Sequence, residues 1–190
     1  MSMIMDVVDI TPPALEPVSL ARAKLFLRVE HDAEDDLIAE MIRSARLRVE
    51  TYVGASLITR QRRIICSVTL AGDIVLNHHP IDSVDAVRFV KANGDIIPLE
   101  PAHYQLNLRA RPARLFIQET AWAICPHHEI CHAEIDVTAG YGAAEADIPA
   151  PFTQAILLLM AQAYEREAAL SPDLPMMVQA LLMPYRGLRL

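Results

Sequence analysis

The chain has 190 residues, enough for one ordinary domain with a real core or two small ones, and one interrupted domain is the simpler expectation. Apolar residues make up 53% of it, yet no uncharged run approaches the roughly 20 residues of a membrane helix. A net charge of -7 argues against tight wrapping of nucleic acid, which takes clustered Lys and Arg, and an odd count of 3 cysteines argues against a disulfide framework.

In chain order, residues 1–18 read as an N-terminal extension. MSMIMDVVDITPPALEP sets an acidic residue and prolines where a signal peptide would carry a basic region and a long apolar run, so retention in the cytoplasm is expected. Ser19 can N-cap a short helix to about Val29, with Leu20, Ala23, Lys24 and Leu27 at helical spacing. Asp32 is the expected N-cap of a longer helix. Glu34, Asp35 and Asp36 suit its first turn because the helix dipole favours negative charge there, and Gly54 suits its C' position. Its apolar stripe is Ile38, Met41, Ile42, Ala45, Val49, Tyr52 and Val53, with Glu40, Arg43, Arg46 and Glu50 on the opposite face.

From residue 60 the period changes to two. Ile64, Cys66, Val68 and Leu70 alternate with Arg63, Ile65, Ser67 and Thr69, and further strands are expected at residues 84–91, 96–99, 104–108 and 115–117. Asn93-Gly94 is a hairpin signal, because both residues tolerate positive φ. The basic run Arg60, Arg62, Arg63 reads as a solvated strand edge. Helix returns after Pro149 and Pro151, with Phe152, Ile156, Leu159, Met160, Ala163 and Tyr164 as its buried stripe. A break at Ser171-Pro172 precedes a last short helix from Pro175 to about Met183, in which Met176 and Met177 read as adaptable packing rather than ligands. Pro184 stops that helix and leaves the tail PYRGLRL.

One stretch invites a chemical reading. Residues 128–132, HEICH, satisfy H-E-x-x-H, the zinc-protease pattern in which His128 and His132 would share a metal ion beside Glu129 as base. That chemistry requires a helix. Residues 131–138 instead alternate, Cys131, Ala133, Ile135 and Val137 against His132, Glu134, Asp136 and Thr138, and four residues along a strand separate Cα atoms by about 13 Å where a helix brings them to about 6 Å. A structural zinc site drawing on Cys125, His127, Cys131 and His132, with His78 and His79 as further candidates, lacks the paired C-x2-C spacing of strong cases. The expectation is a loop from Cys125 to His128 with solvent-facing histidines, hence no catalytic residue, no metal and no cofactor; a zinc-dependent hydrolase is the alternative. No G-x-S-x-G, Walker loop or G-x-G-x-x-G occurs either. An interaction protein is the better class than an enzyme.

Two stretches resemble a known family, the head-tail connector, or adaptor, proteins of long-tailed bacteriophages and of phage-derived gene transfer agents. The first is EPVSLARAKLFLRVEHDAEDDLIAEMIRSARLRVETYVGASLITR, residues 16–60. The second runs from Val137-Thr138-Ala139-Gly140-Tyr141-Gly142 through Ile148-Pro149 and the long apolar helix to the closing LLMPYRGLRL. The resemblance implies an α+β fold: a helical bundle of about four helices, residues 19–59 and 148–183, carrying a β-rich insertion, residues 60–147, and a C-terminal tail, residues 184–190. It implies a structural subunit of a virion's head-tail junction, assembled in the bacterial host cytoplasm as a ring, usually of twelve copies, under the portal protein. The ring would seat the next head-completion, stopper or tail protein and pass double-stranded DNA without sequence-specific binding, and no membrane is involved. By the same resemblance Pro184, Tyr185, Arg186, Gly187, Leu188, Arg189 and Leu190 would bind the portal.

Overall fold

The computed structural model describes residues 4–165 and 173–186 of the chain. In order these form strand β1 (Ile4–Asp9), helices α1 (Leu20–Leu27) and α2 (Asp35–Val53), and strands β2 (Arg60–Cys66), β3 (Asp73–Leu76), β4 (Ile81–Lys91), β5 (Ile96–Leu99), β6 (Tyr104–Asn107) and β7 (Ala113–Ile117). Helix α3 (Glu119–Ile124), strand β8 (Ile130–Ala139) and helices α4 (Ala150–Tyr164) and α5 (Met176–Leu182) follow. The fold class is α+β. The chain divides into two compact units, one holding residues 13–58 and 141–186 and the other the β-rich remainder.

In the helical unit α2 packs on α1 and α4, and α4 also packs on α5. The core of this unit is the stripe expected of α2, with Ile38, Ile42, Ala45, Val49 and Val53 buried, set against Phe152, Ile156, Leu159 and Met160 of α4. Spacing of three and four residues brings these side chains onto one face, and their removal from water is the main favourable term. Gly54 ends α2 at φ 70, a left-handed conformation that glycine adopts without penalty, and its N–H bonds the Glu50 carbonyl.

Two expectations about α2 need correction. The helix starts at Asp35 rather than after Asp32, because Asp32 takes the Lys24 ammonium at 2.6 Å instead of capping. Nor are Arg46 and Glu50 on a solvated face, being only 4% and 5% exposed. Arg46 donates to Glu50 at 2.8 Å and to Glu16 at 2.7 Å, and Glu50 also accepts the backbone N–H of Leu57 at 2.9 Å. Apolar periodicity could not reveal this, since both partners lie four residues apart beside the stripe and one lies thirty residues upstream.

In the β-rich unit a five-stranded antiparallel sheet runs β1-β2-β8-β4-β5 and a three-stranded one runs β3-β7-β6. β8 lies at the middle of the larger sheet. Its Ala133, Ile135, Val137 and Ala139 are buried while the residues between them are only partly so, the half-buried alternation that the sequence predicts. The β4–β5 hairpin turns at Asn93-Gly94 as expected, with Gly94 at φ 91. Strand β1 falls within the stretch read as an N-terminal extension, and it adds to the free side of β2. Alternation past Cys66 does not become strand, because the chain turns at Thr69, whose carbonyl accepts the Gly72 N–H at 2.8 Å.

Truncating Arg46 leaves the carboxylate of Glu50 buried without its cation, a class of change that costs about 3–5 kcal/mol. Urea unfolding of Arg46→Ala is expected to show a loss of that size, and a loss under about 1 kcal/mol, the range of surface ion pairs, would show that the buried pair contributes little.

Candidate functional site

The HEICH segment is not a catalytic helix. Its first two residues belong to a single 3-10 turn, His127–Glu129, after Pro126, and Ile130 already begins β8. Glu129 and His132 each have a local partner. The Lys91 ammonium reaches Glu129 at 2.6 Å and holds its carboxyl below the usual carboxylate range. His132 lies 3.8 Å from Glu134, and His128 is exposed.

The loop reading needs one correction, because His127 is not free in solvent. It bonds the Val68 carbonyl at 3.1 Å and stands edge-on to Trp122, which itself stacks on Phe89 with ring centroids 5.7 Å apart. Cys125 is buried, whereas Cys131 is exposed, so the candidate ligands do not converge. Among the described residues no group of three or more His, Cys, Asp and Glu side chains could hold a metal ion.

The basic run on β2 is likewise not a solvated edge. β2 lies between β1 and β8, and its arginines are neutralised in place. Arg60 and Arg62 reach the same Asp9 oxygen at 2.9 and 2.7 Å, while Arg63 donates to Asp136 at 2.7 Å. Arg88 of β4 completes a compact network with Glu134 and Asp136 of the adjacent β8, in which two guanidiniums meet two carboxylates. Burial pushes the Asp136 carboxyl up, but the hydrogen bonds and charge of Arg63 and Arg88 outweigh it and hold the group low. His78 is buried with its Nε2 at 3.2 Å from the Arg62 guanidinium; burial first, then the positive charge of Arg62 and Arg60, pushes its pKa down to about 3.

The stretches behind the family resemblance have legible jobs, and those jobs are structural. Lys24 of α1 reaches both Asp32 and Asp35 at 2.6 Å, clamping α1 to the start of α2. Gly142 lies under the Asp147 side chain, where a Cβ would come within 2.3 Å of it, and Asp147 in turn accepts the Ala144 N–H. Tyr141 packs on Phe152 at 5.2 Å, and Tyr185 packs on the same ring at 4.7 Å. The Arg186 guanidinium sits over the Tyr52 ring at 5.0 Å. Of the seven tail residues named above, Pro184 and Tyr185 thus belong to a 3-10 turn on the helical core with Arg186 as its cap, while Gly187–Leu190 fall outside the described residues. The break expected at Ser171-Pro172 also lies outside them.

Residues with apolar character and no internal partner mark the surfaces available for contact. Met176 and Met177, expected as packing, are 85% and 67% exposed, because α5 buries Val178 and Leu182 instead. Met183, Leu25 and Phe26 are exposed too. Sequence periodicity points to the buried side of each helix and carries no comparable signal for these residues.

Comparison with known proteins agrees with this picture. Residues 17–93 match the family model described as Phage gp6-like head-tail connector protein. A chain in the virion of a native gene transfer agent (GTA) particle is similar at a TM-score of 0.76 and 26% identity, over 98% of this chain and 97% of that one. A chain in the neck of an empty GTA particle computed with C6 symmetry is similar at 0.75 and 25%, with the same coverage of 98% and 97%. A third, in the neck of a native GTA particle computed with C12 symmetry, shares the fold at 0.70 and 24% identity over 98% and 97%. No curated protein matches the chain at a significant level.

Two outcomes follow from the geometry. Elemental analysis of the purified chain is expected to find no stoichiometric zinc, and His132→Ala to change stability by no more than about 0.5 kcal/mol, as for other partly exposed positions; zinc lost with that substitution would restore the hydrolase reading. His78 stays neutral in the folded chain but takes up a proton near pH 6.5 once unfolded, so stability is full well above that value and falls as the pH drops toward about 3. From pH 8 to pH 5 the loss is about 2 kcal/mol, and urea titrations of His78→Gln are expected to lack that share of the slope.

Proposed function

We propose that this chain, a head-tail connector protein by sequence over residues 17–93 and by fold over 98% of its length, serves as the adaptor subunit at the head-tail junction of a tailed phage or gene transfer agent. The observation that carries the proposal is the near full-length likeness to a chain of a gene transfer agent virion, at TM-score 0.76 and 26% identity. The role is structural rather than enzymatic, in keeping with the connector family and with a motif, HEICH, that lies on a 3-10 turn and a strand rather than on a helix.

In this reading α1, α2, α4 and α5 form a helical bundle interrupted in sequence by the β-rich insertion of residues 60–147. Copies of the chain close into a ring, usually of twelve, beneath the portal, a cyclic arrangement supported by the C6 symmetry of a similar neck. A closed ring uses heterologous contacts, one face of each subunit meeting a different face of the next. Met176, Met177 and Met183 on one helical segment and Leu25 and Phe26 on another supply apolar surface for such contacts. The ring holds the portal on one side, the next stopper or tail protein on the other, and lets double-stranded DNA pass without reading its sequence. Assembly takes place in the host cytoplasm.

The portal contact is assigned to residues 184–190, of which Tyr185 and Arg186 pack on the helical core through Phe152 and Tyr52. Mixing the purified full chain with portal is expected to give a complex visible as a ring by electron microscopy. Removal of Gly187–Leu190 alone is expected to abolish co-purification with portal while leaving the melting temperature unchanged, because the aromatic anchor stays in place. Undiminished binding after that deletion rules the tail out as the portal contact, and a full chain that neither forms rings nor binds portal overturns the adaptor role.

A further inference from the structure

We infer that the turn between β6 and β7, residues 107–112, touches the phosphate backbone of double-stranded DNA through Arg109 and Arg111. The inference deepens the adaptor reading and rests on it, since it names the surface that faces the DNA in the particle.

In the β-rich unit Arg60, Arg62, Arg63, Arg88, Lys91 and Arg114 each hold a carboxylate within 3.3 Å. Arg109 and Arg111 are exposed and reach no carboxylate of any described residue. In a chain of net charge -7, uncompensated cations side by side are the exception. Among the other described Lys and Arg side chains, Arg28 and Arg43 also have no anionic or aromatic partner in the chain, and each stands singly on a helical segment. Folding has therefore neutralised the other described cations of this unit and left one turn positive.

The turn also presents that charge on a firm base. β6 and β7 pair from Tyr104↔Ile117 to Asn107↔Arg114, and β7 pairs with β3 on its other side. Asn107 Oδ1 accepts the Ala110 N–H at 3.1 Å, closing the tip, while Asp73 neutralises Arg114 at 3.1 Å just behind it. Beyond those groups only the guanidiniums of Arg109 and Arg111 carry charge outward. A guanidinium fork matches phosphate oxygens with two parallel hydrogen bonds.

The chemistry around the pair favours a nucleic-acid backbone over a protein partner. Residues 107–112 carry no exposed large apolar side chain of the kind found at the centre of a protein interface. Apart from Asn107, whose carbonyl is already used, they offer no amide that would read base edges. What remains is sequence-independent phosphate contact. Two such contacts per subunit steepen the salt dependence of log K by about 1.8 per chain, enough for a weak hold on a strand and too little for a tight grip by any single copy. Repeated around a ring, they would make a sparse positive collar that retains DNA yet lets it slide.

The test uses DNA-filled particles containing the full chain with a photo-crosslinking amino acid in place of Arg111, and a second preparation with it in place of Arg43 as an exposed control on α2. Irradiation is expected to attach the chain to DNA at least tenfold more at the turn than at the control. In parallel, Arg109→Glu with Arg111→Glu is expected to leave the melting temperature and the copy number in particles unchanged while nuclease-accessible DNA rises several-fold. Adducts to a neighbouring copy or to another particle protein overturn the inference by making the turn a protein contact. A chain present in the particle that forms no DNA adduct, or a double variant that retains DNA normally, overturns it as well. A chain absent from the particle removes the adaptor reading first, which is a distinct result.

Discussion

A guanidinium buried between two carboxylates organises the helical unit. Arg46 cannot leave the interior of α2 without stranding Glu50, and Glu50 cannot turn away without releasing the Leu57 amide, so the end of the helix and the chain beyond it are held together. Glu16 brings the segment before α1 to the same cation. Taking such charges out of water is expensive, and the arrangement persists because each one meets its opposite with good geometry. Apolar packing against α4 supplies most of the free energy, but it tolerates sliding in a way that a three-member charge contact does not.

The β-rich unit applies the same rule at a lower degree of burial. Arg63, Arg88, Glu134 and Asp136 alternate in sign across β2, β8 and β4, and the register fixes which charge faces which. A slip by one residue would carry Ile135 to the outer face and Asp136 into the core, so the charges and the apolar row specify one register together. Local neutralisation also changes what a basic run means. Arg60, Arg62 and Arg63 look like a nucleic-acid patch as letters, yet Asp9 and Asp136 have already met them, while the less conspicuous Arg109 and Arg111 keep their charge.

Much of the fold was legible wherever one period persisted for several turns or several strand residues. The stripe of α2, the alternation of β8 and the Asn93-Gly94 hairpin each rest on local pattern, and the same alternation makes residues 131–138 a strand rather than the helix a zinc-protease motif needs. The elements missed share a different property. β1, β3 and α3 are only six, four and six residues long, and each is held by a partner distant in sequence, as Ile4–Asp9 is by Arg60–Cys66. The same limit explains Arg46, whose site joins Glu50 four residues on with Glu16 thirty residues back, a combination that no spacing rule describes. It explains Met176 and Met177 in reverse, since their apolarity predicts burial, and α5 has room to bury only its other side.

This division bears on what a family resemblance measures. The residues that carry it here, Lys24 with Asp32 and Asp35, Gly142 beneath Asp147, and Tyr185 against Phe152, all face inward or toward one another. They preserve a fold because each solves a steric or electrostatic problem with few alternative solutions, such as a Cβ that would meet a carboxylate at 2.3 Å. Outward-facing residues have no such internal constraint and answer only to whatever partner meets them. The inward-facing part of the signature therefore identifies the scaffold. A change at Lys24 is then expected to be felt through stability, whereas under the proposed DNA contact a change at Arg109 would be felt only when DNA is present.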